Sequence, residues 1–227
     1  MERLLADLTR RFAPVAEVVD LGPEVVEILR PPNAEALIDE ADFARDERLP
    51  YWADLWGSAV VLGRAVRAEQ GAGQSLLELG SGLGVGALAA LAAGYHVTAT
   101  DYYEDALAFA RLNAWRNLGR APETRLLDWR ALPDDLPRHD RVIAADVLYE
   151  RPYGGLVAEA LRRALAPAGV ATLADPGRLG LAGFLDACAG IGLRVDGPTT
   201  FPYAAGKIRQ EIKVFTVVHT PATMRAP

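Results

Sequence analysis

The sequence predicts an α/β protein built on an open, doubly wound, mostly parallel sheet. Short, continuously apolar runs such as "SLLEL" (75–79), "RVIAAD" (141–146) and "GVATLAD" (169–175) are the pattern of strands buried on both faces. Between them lie helix-length segments whose apolar residues recur at three- and four-residue spacing. Acids also close strand after strand: Glu78, Asp101, Asp128, Asp146 and Asp175. Asp often starts a loop or caps a helix, so any one of these is ordinary. A row of them is not, because ligands of open parallel sheets bind at the carboxyl ends of the strands.

Composition fits this class. A chain of 227 residues buries enough surface to fold as one domain without a staple, and 51% hydrophobic residues argue against disorder. The net charge of -6, with arginines scattered among acids, speaks against bulk nucleic-acid binding. Cys188 is the only cysteine, which excludes an intrachain disulfide and a Cys-rich zinc site, and no metal is expected. With Phe184, Leu185 and Ile191 it falls on the apolar stripe of a helix, as a buried and inert thiol. "MERLLADLTRRFAP" lacks a signal-peptide core, and "VGALAALAAG" is too short to span a bilayer. The expected protein is a soluble monomer of a reducing cytoplasm, without a membrane partner.

Residues 1–50 read as an irregular N-terminal extension: a strand-like "VVEILRPP", then "NAEALIDEADFARDERLP" laid against a larger body. The main domain, 51–219, opens on "YWADLWGSAVVLGRAV", which puts Trp52 and Trp56 ahead of an amphipathic helix, with Trp52 expected to plug the core. "SLLEL" is the first buried strand, followed by the helix "GALAALAAG" closed by Gly94. "HVTATD" (96–101) is the second. Its helix has Glu104 and Asp105 at the positive end, Leu107, Ala110, Ala114 and Leu118 on one side, and Gly119 as stop. "TRLLDW" (124–129) is the third strand and "RVIAAD" the fourth, before a helix with Leu156, Val157, Ala160, Leu161, Ala164 and Leu165 on one face. After the fifth strand, "LRVDG" and "EIKVFTVVH" (211–219) follow without a helix between them, as an antiparallel hairpin that completes seven strands. The tail 220–227 is expected to be loose.

The glycine turn "ELGSGLGVG" (78–86) indicates a cofactor. A triphosphate loop would continue with Lys and Ser or Thr, whereas this turn continues Ala87, Leu88, Ala89. Gly82, Gly84 and Ala87 do satisfy the dinucleotide pattern, with Asp101 at the spacing of a ribose acid. Glu78 discriminates: a carboxylate beside the turn would repel a pyrophosphate, while S-adenosylmethionine has no phosphate and is a net cation. Gly80, Gly82 and Gly84 can take positive φ and clear side chains from the donor, and the helix after them offers free N–H groups. Asp101 is placed for both ribose hydroxyls, and Asp128 for the adenine amino group, with Trp129 as a flat wall.

This set resembles the class I, seven-stranded, Rossmann-like methyltransferases: Glu78 to Gly84 match their first motif, Asp101 the second and Asp128 a later one. "ADVLYE" (145–150) then places Asp146 and Tyr149 three apart after the fourth strand. Together with Trp56, Leu127 and Trp129 this resembles the family that includes the lysine methyltransferases of the electron-transfer flavoprotein β subunit and of valosin-containing protein. "LRPPNAEALIDE", "PYWADLW" and "ADPGR" resemble the flavoprotein branch in particular. The resemblance implies S-adenosylmethionine held by Trp56, Glu78, Gly80, Ser81, Gly82, Gly84, Asp101, Tyr102, Asp128, Trp129 and Asp146. It implies catalytic positioning by Asp146 and Tyr149, and a protein substrate presenting a lysine. A small-molecule amine acceptor, or donor binding without transfer, would use the same donor site. One departure falls after Trp56: the flavoprotein branch has Pro-Gly-Gly where this chain has Gly57, Ser58 and Ala59. "DPGR" is read either as part of the branch pattern or as a Pro-Gly turn that leaves Arg178 exposed.

Overall fold

The structure is a computed structural model that describes residues 1–34, 37 and 49–220. Within the expected extension 1–50, most of "NAEALIDEADFARDERLP" (33–50) falls outside the described residues, as does the tail from residue 221. Elsewhere the N-terminal region is more regular than expected. An amphipathic helix α1 (Glu2–Phe12) and an antiparallel pair, β1 (Val15–Asp20) and β2 (Val25–Arg30), precede the main domain. The stripe Leu4, Leu5, Leu8 and Phe12 carries α1: Leu8 is buried, and Phe12 meets Trp52 and Phe109 edge-on.

The main domain runs α2 (Gly57–Arg67), β3 (Ser75–Leu79), α3 (Val85–Ala92), β4 (His96–Asp101), α4 (Glu104–Leu118), β5 (Glu123–Leu126) and β6 (His139–Ala145). It ends with α5 (Tyr153–Ala164), β7 (Leu165–Asp175), α6 (Leu181–Gly190), β8 (Leu193–Ala205) and β9 (Ile208–His219). The sheet order is β5-β4-β3-β6-β7-β9-β8. The strands through β7 pair in parallel, while β9 pairs antiparallel with both β7 and β8. This is the expected doubly wound sheet of seven strands with its antiparallel edge hairpin. The two crossover directions diverge between β3 and β6, and the carboxyl ends there form the crevice in which such sheets bind ligands.

Helices cover both faces. One core packs α2, α3 and α4, with the N-terminal elements, against the sheet; the other packs α5 and α6. Trp52 plugs the first core at 8% exposure, as its place before α2 predicts. Cys188 is buried in the second, and burial pushes its thiol up to about 12, which fits an inert group. Leu185 is exposed rather than on the buried stripe. β5 stops at Leu126, short of the predicted Trp129. It is an edge strand, so Asp128 and Trp129 belong to the loop beyond it. No helix among the described residues is long and apolar enough to cross a membrane.

Candidate active site

A cleft opens at the carboxyl end of the sheet, between the β3, β4, β5 and β6 loops and the segment before α2. Trp56, Glu78, Gly80, Ser81, Gly82, Asp101, Tyr102, Asp128, Trp129, Asp146 and Tyr149 all line it. Gly84 does not. It caps α3 in the left-handed region at φ 79°, and a Cβ there would lie 2.5 Å from the Cβ of Ala110 on α4. Its bareness serves helix packing, not ligand approach.

Glu78 ends β3 almost sealed from water, at 3% exposure. Oε2 accepts the Ala87 N–H at 2.8 Å, and the Gly86 N–H donates to the same carboxyl. A Cβ at Gly86 would overlap Oε1, so the last glycine of the turn makes room for the acid. Burial pushes Glu78 up to about 8, with the backbone donors and the neighbouring Asp101 as smaller influences of opposite sign. The free helix N–H groups expected here are therefore partly taken by the Glu78 carboxyl. A pyrophosphate would find donors of this helix start already occupied.

Asp101, 7% exposed, accepts the Gly82 N–H through Oδ2 and the Tyr103 N–H through Oδ1. It braces the glycine turn while keeping acceptor capacity toward the cleft. Asp128 is clasped by its own loop: Arg130 donates from Nε and Nη2, and its guanidinium lies 5.6 Å from the Tyr102 ring centre. Trp129 lies over Gly80, where a Cβ would come within 3.3 Å of the indole.

At the other end of the cleft, Asp146 has a positive φ of 57°, unusual outside glycine and a mark of functional sites. Arg178 Nε donates to its Oδ1 at 2.6 Å, and Ser58 Oγ to its Oδ2 at 2.9 Å. Arg178 is thus not an exposed turn residue: its guanidinium also lies 5.0 Å from the Trp56 ring centre. It is aimed by Asp175, whose Oδ1 accepts the Arg178 and Gly177 N–H groups. Burial pushes the Asp175 carboxyl up from the usual carboxylate range. Around Asp146 stand aromatic walls: Tyr149 packs 4.9 Å from Tyr51 and 4.7 Å from Tyr153, and Trp56 donates its indole N–H to the Tyr51 carbonyl. Ser58, Tyr51, Tyr153 and Gly86 were not legible as site residues. Ser58 stands where the resembled branch has glycine, which was its one visible signal.

A sequence model of a family described as lysine methyltransferase matches residues 46–174. The chain belongs to that family. The protein-lysine methyltransferase METTL21E of Bos taurus is 34% identical over 116 residues, which are 45% of this chain and 40% of that protein. The chain thus spans about two fifths of that curated relative's length. Magnesium protoporphyrin IX methyltransferase of Synechocystis, solved with bound SAM, has a TM-score of 0.58 at 17% identity, covering 82% of this chain and 94% of that one. A TehB-like SAM-dependent methyltransferase of Corynebacterium glutamicum has a TM-score of 0.53 at 18% identity, covering 79% and 94%. These structures share the fold.

The cleft suits the donor that family membership implies. Ser81 Oγ and Trp129 Nε1 are buried without a hydrogen-bond partner among the described residues, and both border it. Orphaned polar atoms at a cleft call for ligand atoms to pair with. An adenosine carries hydroxyls and ring nitrogens of that kind.

Proposed function

We propose that the protein is an S-adenosylmethionine-dependent methyltransferase that methylates the side-chain amine of a lysine in a protein substrate, working as a monomer in the cytoplasm. The observation that carries this reading is Asp146, held by Ser58 and Arg178 at the aromatic end of the cleft. In this reading Glu78, Gly80, Ser81, Gly82, Asp101, Tyr102, Asp128, Trp129 and Trp56 hold the donor. S-adenosylmethionine supplies a methyl carbon already activated by a sulfonium leaving group.

What the chain must add is an amine that is unprotonated and aligned. A lysine with an ordinary pKa of about 10.4 arrives charged, and enclosure between aromatic walls favours loss of that proton to solvent. Each Asp146 oxygen already accepts one hydrogen bond and has a lone pair left. It can accept an N–H of the neutral amine and turn the nitrogen lone pair toward the methyl. Tyr51, Tyr149 and Tyr153 flank the alkyl chain and exclude water. The contribution is placement, which for an in-line displacement is a large part of the rate.

The test is incubation with methyl-labelled donor and a methyl-depleted lysate, followed by mass spectrometry. Label on a protein lysine is expected, with Asp146→Asn and Tyr149→Phe each slowing transfer while S-adenosylhomocysteine still binds. Label on a metabolite alone, or full turnover in both variants, would overturn the reading. Thermal stabilisation by NAD and not by S-adenosylhomocysteine would also sink it.

A further inference from the structure

The antiparallel hairpin reaches the acceptor end of the cleft. β9 pairs with β7 only as far as Lys213 opposite Asp175, whereas its earlier residues stay paired with β8 beyond that point. The hairpin thus overhangs the carboxyl edge of the sheet. On this overhang Tyr203 and Gln210, direct cross-strand partners, close on Gly57 at the start of α2. A Cβ at Gly57 would lie 2.5 Å from Tyr203 Cδ1 and 3.0 Å from Gln210 Oε1. Gly57 is not among the residues of positive φ, so its backbone does not demand glycine; the hairpin does.

Gly57 lies between two site residues. Trp56 before it donates to the Tyr51 carbonyl and carries the Arg178 guanidinium on its ring, and Ser58 after it donates to Asp146. We propose that Tyr203 and Gln210 are positioning residues for methyl transfer: by clasping Gly57 they fix Ser58 and Trp56, and through these Asp146 and Arg178. This rests on the methyltransferase reading above. Tyr203 also packs at the edge of the first core, so the test must separate positioning from stability.

Four variants do this: Gly57→Ala, Tyr203→Ala, the two combined, and Tyr203→Phe, which keeps the ring. Transfer from labelled S-adenosylmethionine to methyl-depleted lysate protein is measured at saturating donor and at a temperature where every variant is folded by circular dichroism. Gly57→Ala and Tyr203→Ala are each expected to slow transfer about tenfold, from misplacement of the acceptor end. S-adenosylhomocysteine affinity should fall by no more than about threefold, because Trp56 is the one donor-holding residue next to Gly57, whereas Glu78, Gly82, Asp101 and Asp128 lie at or just beyond strand ends that the variants leave in place. The combined variant should be no slower than the slower single one, since both act through one contact. Tyr203→Phe should transfer at the wild-type rate. In parallel, the Trp56 indole N–H resonance should move in both alanine variants while that of Trp115, on α4, stays.

Wild-type rates in both alanine variants, losses that multiply in the combined one, or an unmoved Trp56 resonance would each overturn the proposal. If the wild-type protein itself transfers no label, the methyltransferase reading fails, and the Trp56 resonance still decides whether the hairpin fixes this turn.

Discussion

Glu78 answers two demands at once: it caps the first turn of α3, and it is shut away from water. Its folded-state value is raised from 4.5 to about 8 by burial, so the folded protein holds a proton there that the unfolded chain releases above about pH 4.5. The associated stability is fully present below the ordinary carboxylate range and is lost as pH rises through about 8. Urea unfolding should show the wild-type protein losing stability over that window, on the order of several kcal/mol, relative to Glu78→Gln, which cannot ionise. Parallel curves for the two would mean that Glu78 ionises normally when folded. A cation in the cleft favours the ionised form, so donor binding near neutral pH should release a proton, visible as a buffer-dependent heat in calorimetry. Gly86 is the companion residue. Gly86→Ala forces a methyl group into Oε1 and is expected to cost about 2–4 kcal/mol, measured by the same unfolding.

Among the elements, the β1–β2 pair is joined to the main domain by polar contacts as well as packing. Asn113 on α4, wholly buried, accepts the Leu29 N–H and donates to the carbonyls of Leu29 and Leu83. One side chain thus links β2, the glycine turn and α4. Asn113→Ala strands those backbone groups and should cost about 2–3 kcal/mol. Limited proteolysis should then cut first within residues 1–34, and an unchanged digestion pattern would show that the pair is held by its apolar side chains alone. The elements also differ in how far the sequence reveals them. The central strands were legible because an apolar run bounded by glycine and acid is local information, and Glu78, Asp101 and Asp146 fall at their ends as expected. α1 carried its stripe in plain view, but only one of its residues is buried, which makes the pattern faint. The Asp146–Arg178 pair spans 32 residues and depends on the alignment of β6 with β7, which no local pattern encodes. Gly84 matched a cofactor pattern for a packing reason, because a bare backbone against Ala110 and one against a ligand leave the same letter.

At the scale of the whole molecule, charge bears on which acceptor the cleft meets. The chain carries a net -6, and Asp54, Glu78, Asp101, Asp128, Asp146 and Glu150 line the cleft, outnumbering the cations beside them, Arg130 on Asp128 and Arg178 on Asp146. Low-dielectric walls focus such a field outward, so a lysine in a basic segment is drawn to the opening faster than a neutral one. The attraction acts on encounter and is screened with a Debye length of about 10 Å at 0.1 M salt, whereas the aligned amine inside the aromatic walls is shielded from ions. The two stages should therefore separate. With dilute lysate acceptor, where encounter limits the rate, transfer from labelled donor should fall several-fold as salt rises from about 0.05 to 0.3 M. With saturating acceptor, where the step at Asp146 limits it, transfer should hold steady. A dilute-acceptor rate indifferent to salt would assign acceptor choice to the tyrosines around Asp146, and a saturated rate that falls in parallel would place the salt effect on the donor site or the fold.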